Sequence, residues 1–170
     1  VHLGDFTAPN GTPGQIVLAT EDGIIAVWGT INGERLQVAP IARDDSAAGA
    51  VYKGLAIIDP QTSRPYLALA DFHQGIVQIY DSLFSPTIPG GVFADPTLPA
   101  GYAPFNIQVI GNEVFLTYAV QDAVKHDPVV GPGNGIVNIF DTHGNFVRRL
   151  ASNGVLNAPW GLVQASANFG

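Results

Sequence analysis

The feature that most constrains this chain is a strand–turn–strand unit that recurs. Its clearest copy is GPGNGIVNIFDTHGNFVRRL, at residues 131–150. Apolar residues gather at Ile136, Val137, Ile139 and Phe140, and again at Phe146, Val147 and Leu150. Between them stands Thr142-His143-Gly144-Asn145, where Gly144 and Asn145 accept positive φ, so the stretch predicts a β-hairpin. DGIIAVWGTINGERLQV (22–38) and QGIVQIYDSLF (74–84) carry the same signal. Gly23, Gly75 and Gly135 align, as do Trp28, Tyr80 and Phe140, at a period of roughly 50–60 residues. Repeats of about that size built from strands alone point to propeller blades.

The rest of the chain supports that reading. Its 20 Gly and 13 Pro are spread between apolar runs, the punctuation of many short strands. No segment keeps a helical period. The first unit, about 15–40, predicts strands at 15–20, 24–30 and 35–40, with Asn32-Gly33 as the strongest hairpin turn, and 41–50 reads as a polar connection. The second, 51–88, predicts strands at 51–58, 65–70 and 76–81. Its weak fourth strand lies near 84–87, where Pro86 suits a sheet edge. The third, 103–150, predicts strands at 104–110 and 113–120, a long loop at 121–134, and the closing hairpin. Ala158-Pro159-Trp160-Gly161-Leu162 then repeats Ala103-Pro104-Phe105-Asn106-Ile107 and opens a further blade at 156–170. The expected fold is all-β: one partial β-propeller domain over 1–170, with about three four-stranded blades in an incomplete ring. A closed ring needs about four to eight blades. The chain is therefore expected to be a portion of a longer polypeptide, or to complete a ring with further copies of itself.

Composition narrows the function. Net charge is −7, and only 12% of residues are charged. With no cluster of Lys or Arg there is no footprint for a phosphate backbone, so nucleic acid is not an expected partner. The one adjacent basic pair, Arg148-Arg149, reads as a solvated strand edge that resists aggregation. Without cysteine there is neither a disulfide framework nor a thiolate metal site. No apolar run is long enough to cross a bilayer as a helix.

Several longer phrases also carry a resemblance. AGAVYKGLAI (48–57), ADFHQGIVQIYDS (70–82), DPTLPAGYAPFNIQVIG (95–111), the stretch 117–150 and LNAPWGL (156–162) resemble an uncharacterised family of exported bacterial proteins. Members of that family look like six-bladed β-propellers, some with PEP-CTERM sorting tails. The resemblance implies a propeller, export to the cell envelope or outside the cell, and a middle portion of the family's usual length. It implies no activity.

Chemistry is sought on the loops, because propellers place ligands at the channel mouth. Glu21-Asp22, Asp71 with His73, and Gln121-Asp122 with His126-Asp127 all precede the aligned glycine of their units, which sets them on one face of the ring. Asp71, His73, Asp122, His126 and Asp127 form a candidate set for one divalent cation. Oxygen ligands favour calcium, and two imidazoles admit zinc or iron. Glu21, Asp22 and Asn106 are candidate ligand-binding residues. Each also has a structural reading: Asp before Gly caps turns, and Asn106 can satisfy a neighbouring backbone group. Phe72, Phe105 and Trp160 read as wedges between blades. No Gly-x-Ser-x-Gly elbow and no His-Glu-x-x-His motif occurs, and the Gly-rich run at 131–135 leads into a strand rather than a helix. The leading expectation is an extracellular or envelope propeller that binds a glycan or a protein. The alternatives are a metal-dependent hydrolase or lyase at the channel mouth, and a structural protein that assembles through open blade edges.

Overall fold

The computed structural model describes residues 5–88 and 91–169. Among them there is no α-helix, and Ser46–Ala48 form a short 3-10 turn. Eleven strands form three antiparallel sheets. The first holds β1 (Gly14–Ala19), β2 (Ile24–Ile31), β3 (Glu34–Arg35) and β4 (Ile41–Asp44). The second holds β5 (Tyr52–Ile58), β6 (Tyr66–Asp71) and β7 (Ile76–Tyr80). The third runs β8 (Tyr102–Ile110), β9 (Glu113–Val120), β10 (Gly135–Asp141) and β11 (Phe146–Ser152). These are the expected blades, and they do not close a ring.

Alternation along β6 explains how the blades stack. All six of its residues are buried. Successive side chains of a strand point to opposite faces. Leu67 and Leu69 enter one apolar core with Val17, Ile25 and Val27 of the first sheet. Tyr66 and Ala68 enter another with Ile107, Val114, Leu116 and Phe140 of the third. The middle sheet is thus the filling of a three-layer stack, which is why YLALA shows no polar alternation. A third core joins Val51 and Phe72 to Ala103, Phe105 and Ala119 where β5 meets β8. The inner strands approach closely there. A Cβ on Gly54 would lie 2.2 Å from Asn106 Oδ1 and 2.9 Å from Asn106 Cα.

Two strand expectations change. The strand expected at 35–40 is split into β3 and β4, with β4 falling in what reads as a polar connection. Pro40 has no N–H to donate, yet its carbonyl accepts the Val27 N–H at 3.0 Å, and pairing with β2 resumes only at Ile41. The fourth strand of the second unit shrinks to one bridge, Tyr80 with Pro86. Residues 156–169 form no strand, though they lean on β8: Trp160 packs edge-on to Phe105, with ring centroids 5.0 Å apart.

Polar clasps reinforce the stack. Asp45 Oδ2 accepts the hydroxyls of Tyr52 at 2.7 Å and Tyr80 at 2.8 Å, while Arg43 pairs with Oδ1. Burial would raise the Asp45 pKa. The Arg43 guanidinium and the two tyrosine hydroxyls outweigh it and hold the carboxyl below its usual range. Arg149 is not the solvated edge residue expected from its neighbour Arg148. Its guanidinium pairs with Asp95, whose side chain is fully buried.

Candidate functional site

Three consecutive blades meet at Lys53. The residue lies on β5 at the position that Phe105 takes on β8 and Trp160 takes in the following repeat. An aromatic wedge is replaced there by an alkyl stem with a charged tip. The side chain is only 3% exposed. Its Nζ lies 6.0 Å from the Phe72 ring centroid, within reach of a cation–π contact. It donates to Glu21 Oε1 at 2.7 Å and to Asp127 Oδ1 at 3.4 Å. Glu21 comes from the β1–β2 turn and Asp127 from the β9–β10 loop, so one ammonium ties the first and third sheets to the second.

His126 completes the group. Its Nδ1 lies 3.3 Å from Asp127 Oδ1 and its Nε2 lies 3.9 Å from Glu21 Oε2. The hydrogen bond with His126, followed by Lys53, lowers the Asp127 pKa. Ligand atoms of Glu21, His126 and Asp127 all fall within 4.8 Å of one another. That spacing suits three ligands of a cation, but Lys53 already engages an oxygen from each acid. The outer edge is open: Glu21 and His126 side chains are each 44% exposed, and Asp127 is 67% exposed.

The loop at 121–134 is held by its own polar groups. Asp122 Oδ1 accepts the His126 N–H at 2.9 Å, and the Asp122 N–H donates to the Asp127 carbonyl at 2.9 Å. This clip turns the chain through Lys125, which has a φ of 58°. Gln121 Nε2 donates to the carbonyls of Phe72 and His73, fastening the loop to the second blade. Tyr102 donates to the Gly133 carbonyl at 2.8 Å.

Of the five residues proposed for a metal, two therefore converge: His126 and Asp127. Asp122 shapes the loop that carries them. Asp71 is buried, and its Oδ1 accepts the N–H groups of Val51 at 3.2 Å and Gln74 at 3.1 Å. Burial raises its pKa against the pull of those bonds. His73 packs against Gly49, apart from the cluster. Of the three ligand-binding candidates, Glu21 joins the group. Asp22 stays exposed in the turn. Asn106 takes its structural role: its Nδ2 donates to the Trp160 carbonyl. Lys53 was missed. The available signal was a lone lysine inside the apolar inner strand AVYKGLAII, at an aromatic position of the repeat.

No protein-family model matches the chain. It is similar to uncharacterised proteins of Acanthamoeba polyphaga mimivirus. Protein R648 is 32% identical over 182 residues, covering 98% of this chain and 42% of the relative. Protein R640 is 32% identical over 160 residues, covering 91% of this chain and 29% of the relative. Protein L690 is 38% identical over 125 residues, covering 71% of this chain and 32% of the relative. The chain thus spans less than half the length of these relatives. These viral similarities overturn the resemblance to exported bacterial propeller proteins with sorting tails. Two of the phrases behind it, 70–82 and 117–150, span strand–turn–strand units whose glycines and apolar alternation follow from blade geometry. The expectation of export rested on that resemblance. Among the described residues no helix is long and apolar enough to cross a membrane.

Proposed function

We propose that the chain is part of a β-propeller that works as a binding scaffold, with the open edge of the Glu21–Lys53–His126–Asp127 group as the contact surface for a glycan. The observation that supports this is the position of the Lys53 ammonium, which engages both carboxylates and offsets one of their two charges. A group that is half-exposed and rich in donors and acceptors suits sugar hydroxyls, which accept and donate at one atom. The same ammonium weighs against a metal-dependent hydrolase or lyase here, because a divalent ion would need the oxygens that Lys53 engages.

The test is binding to a polysaccharide array in the presence of EDTA. Binding is expected to survive chelation and to weaken about tenfold or more in Glu21→Gln and Asp127→Asn, as for loss of a charge-assisted hydrogen bond. Binding that disappears on chelation, or capture of proteins with no glycan retained, defeats the proposal.

Lys53→Met gives a second check. It keeps the stem's bulk but removes the charge, leaving Glu21, His126 and Asp127 as three uncompensated ligands. Calorimetry with zinc at neutral pH should detect one ion per chain in the variant, at least about tenfold tighter than in the parent, since carboxylate and imidazole suit zinc. Equal zinc affinity in both proteins would mean that Lys53 does not occupy the cation position.

A further inference from the structure

We propose that two copies of this chain close one ring, the segment 158–165 of each copy serving as the inner strand of the other's first sheet. The repeat defines the place that this strand fills. Gly23, Gly75 and Gly135 align, so β2, β7 and β10 are equivalent strands, as are β1, β6 and β9 before them. The outer side of that pairing is the same in the second and third sheets: β5 pairs the other edge of β6, and β8 the other edge of β9. Among the described residues β1 pairs only with β2, along one edge. An uncovered edge of this kind recruits a strand from another chain.

The other end of the chain holds the complement. Ala158-Pro159-Trp160-Gly161-Leu162 repeats the opening of β8 and lies where the inner strand of a following blade would lie. The Ala158 N–H donates to the Asn134 carbonyl at 3.4 Å, the Trp160 carbonyl accepts from Asn106 Nδ2, and the Trp160 ring packs on Phe105. Beyond Trp160 the backbone of 161–165 makes no hydrogen bond among the described residues, and Val163 is 90% exposed. The sheet faces match as well. Val17, Ile25 and Val27 point into the core shared with the second sheet, so alternation turns Ile16, Leu18 and Ala26 the other way. Register sets Ile41 beside Ala26 on that outer face, and Ile16, Leu18 and Ile41 are all exposed. Val114 and Leu116 likewise face the second sheet, which turns Phe115 outward. There Phe115, Ile110 and Leu150 line a cavity of about 440 Å³ with Leu162 and Val163. Seating the first sheet of one copy on the third sheet of its partner covers both faces and brings 161–165 to the edge of β1. Two copies of three sheets give six, within the roughly four to eight of closed propellers. A twofold axis makes the two junctions identical, each copy giving one strand and taking one, so assembly stops at the dimer.

Sedimentation velocity on the full chain is expected to show a dimer and no larger species. Leu18→Asp and Val163→Asp each introduce a carboxylate at an exposed position, so the circular dichroism of the sheets should not change. Each should raise the dimer Kd at least about a hundredfold, because both junctions then bury an unpaired charge. An equimolar mixture of the two variants tests the head-to-tail geometry. It should recover dimers that neither variant forms alone, because both lesions then share one junction and the other is wild type. A monomer at about 100 μM, far above the Kd of a stable interface, overturns the proposal and leaves both ends to blades of different sequence. Masses that keep rising with concentration overturn it too, as do variants that dimerise like the parent or a mixture that stays monomeric.

Discussion

Phe105→Ala is expected to lower the melting temperature by about 10 °C or more. Phe105 is 2% exposed and is the middle ring of an aromatic row that crosses the blades. Its centroid lies 5.6 Å from Phe72 of the second blade, at 69°, and 5.0 Å from Trp160 of the following repeat, at 62°. Edge-to-face pairs of this kind add about 0.5–1.5 kcal/mol each beyond area burial. Truncation of a buried Phe to Ala costs about 3–5 kcal/mol, because the cavity left behind collapses only in part. Here collapse is resisted from both sides: β5 and β8 already touch through Gly54 and Asn106. Each kcal/mol shifts the melting point by roughly 2–4 °C in a chain of this size. Thermal unfolding followed by circular dichroism measures the change. A drop under about 3 °C would mean that the row does not couple the blades.

The same row bears on how far the fold was legible. Blade architecture follows from alternation and from turns such as Asn32-Gly33, both local signals. The wedge role of Phe72, Phe105 and Trp160 follows from their place in the repeat. Partners across blades are another matter, since no local pattern encodes which turn faces which strand. Glu21 and Asp127 are more than a hundred residues apart in the chain. They meet because both precede a matched glycine, one in each blade flanking Lys53. Repeat alignment sets them on one face but does not give the separation. It also cannot tell a ligand carboxylate from a structural one. Asp71 and Asp122 both precede the aligned glycine of their units, and both bind backbone N–H groups, Asp71 in the core and Asp122 within its own loop. Arg149 was misread for a related reason. Beside Arg148, on an outer strand, it looks solvated, whereas its partner Asp95 comes from a connection with no strand pattern of its own.

That pair carries the other large effect. Arg149→Met should destabilise the protein by about 3–5 kcal/mol at neutral pH, because it leaves a buried carboxylate without its counter-ion. The double variant Asp95→Asn with Arg149→Met should regain much of this, since the uncompensated charge is then gone. Acid titration tests the same interaction from the other side. Burial alone would raise the Asp95 pKa, but hydrogen bonds from Arg149, Thr97 and Asn138 outweigh it and bring it from 3.8 to about 2. The folded state therefore holds this proton less tightly than the unfolded chain. The resulting stability is fully present above about pH 4 and is lost as pH falls through about 2, amounting to about 2 kcal/mol. Urea denaturation of wild type and Asp95→Asn between pH 7 and pH 2 isolates it. The stability gap between the two proteins should narrow across that acid window and stay constant above it. A gap that does not change with pH would mean that Asp95 titrates alike in the folded and unfolded chain, and the Arg149 contact would then contribute no net stabilisation of the carboxylate. A narrowing gap, with rescue by the double variant, makes it an ion pair that fastens the outer strand β11 to the connection entering the third blade.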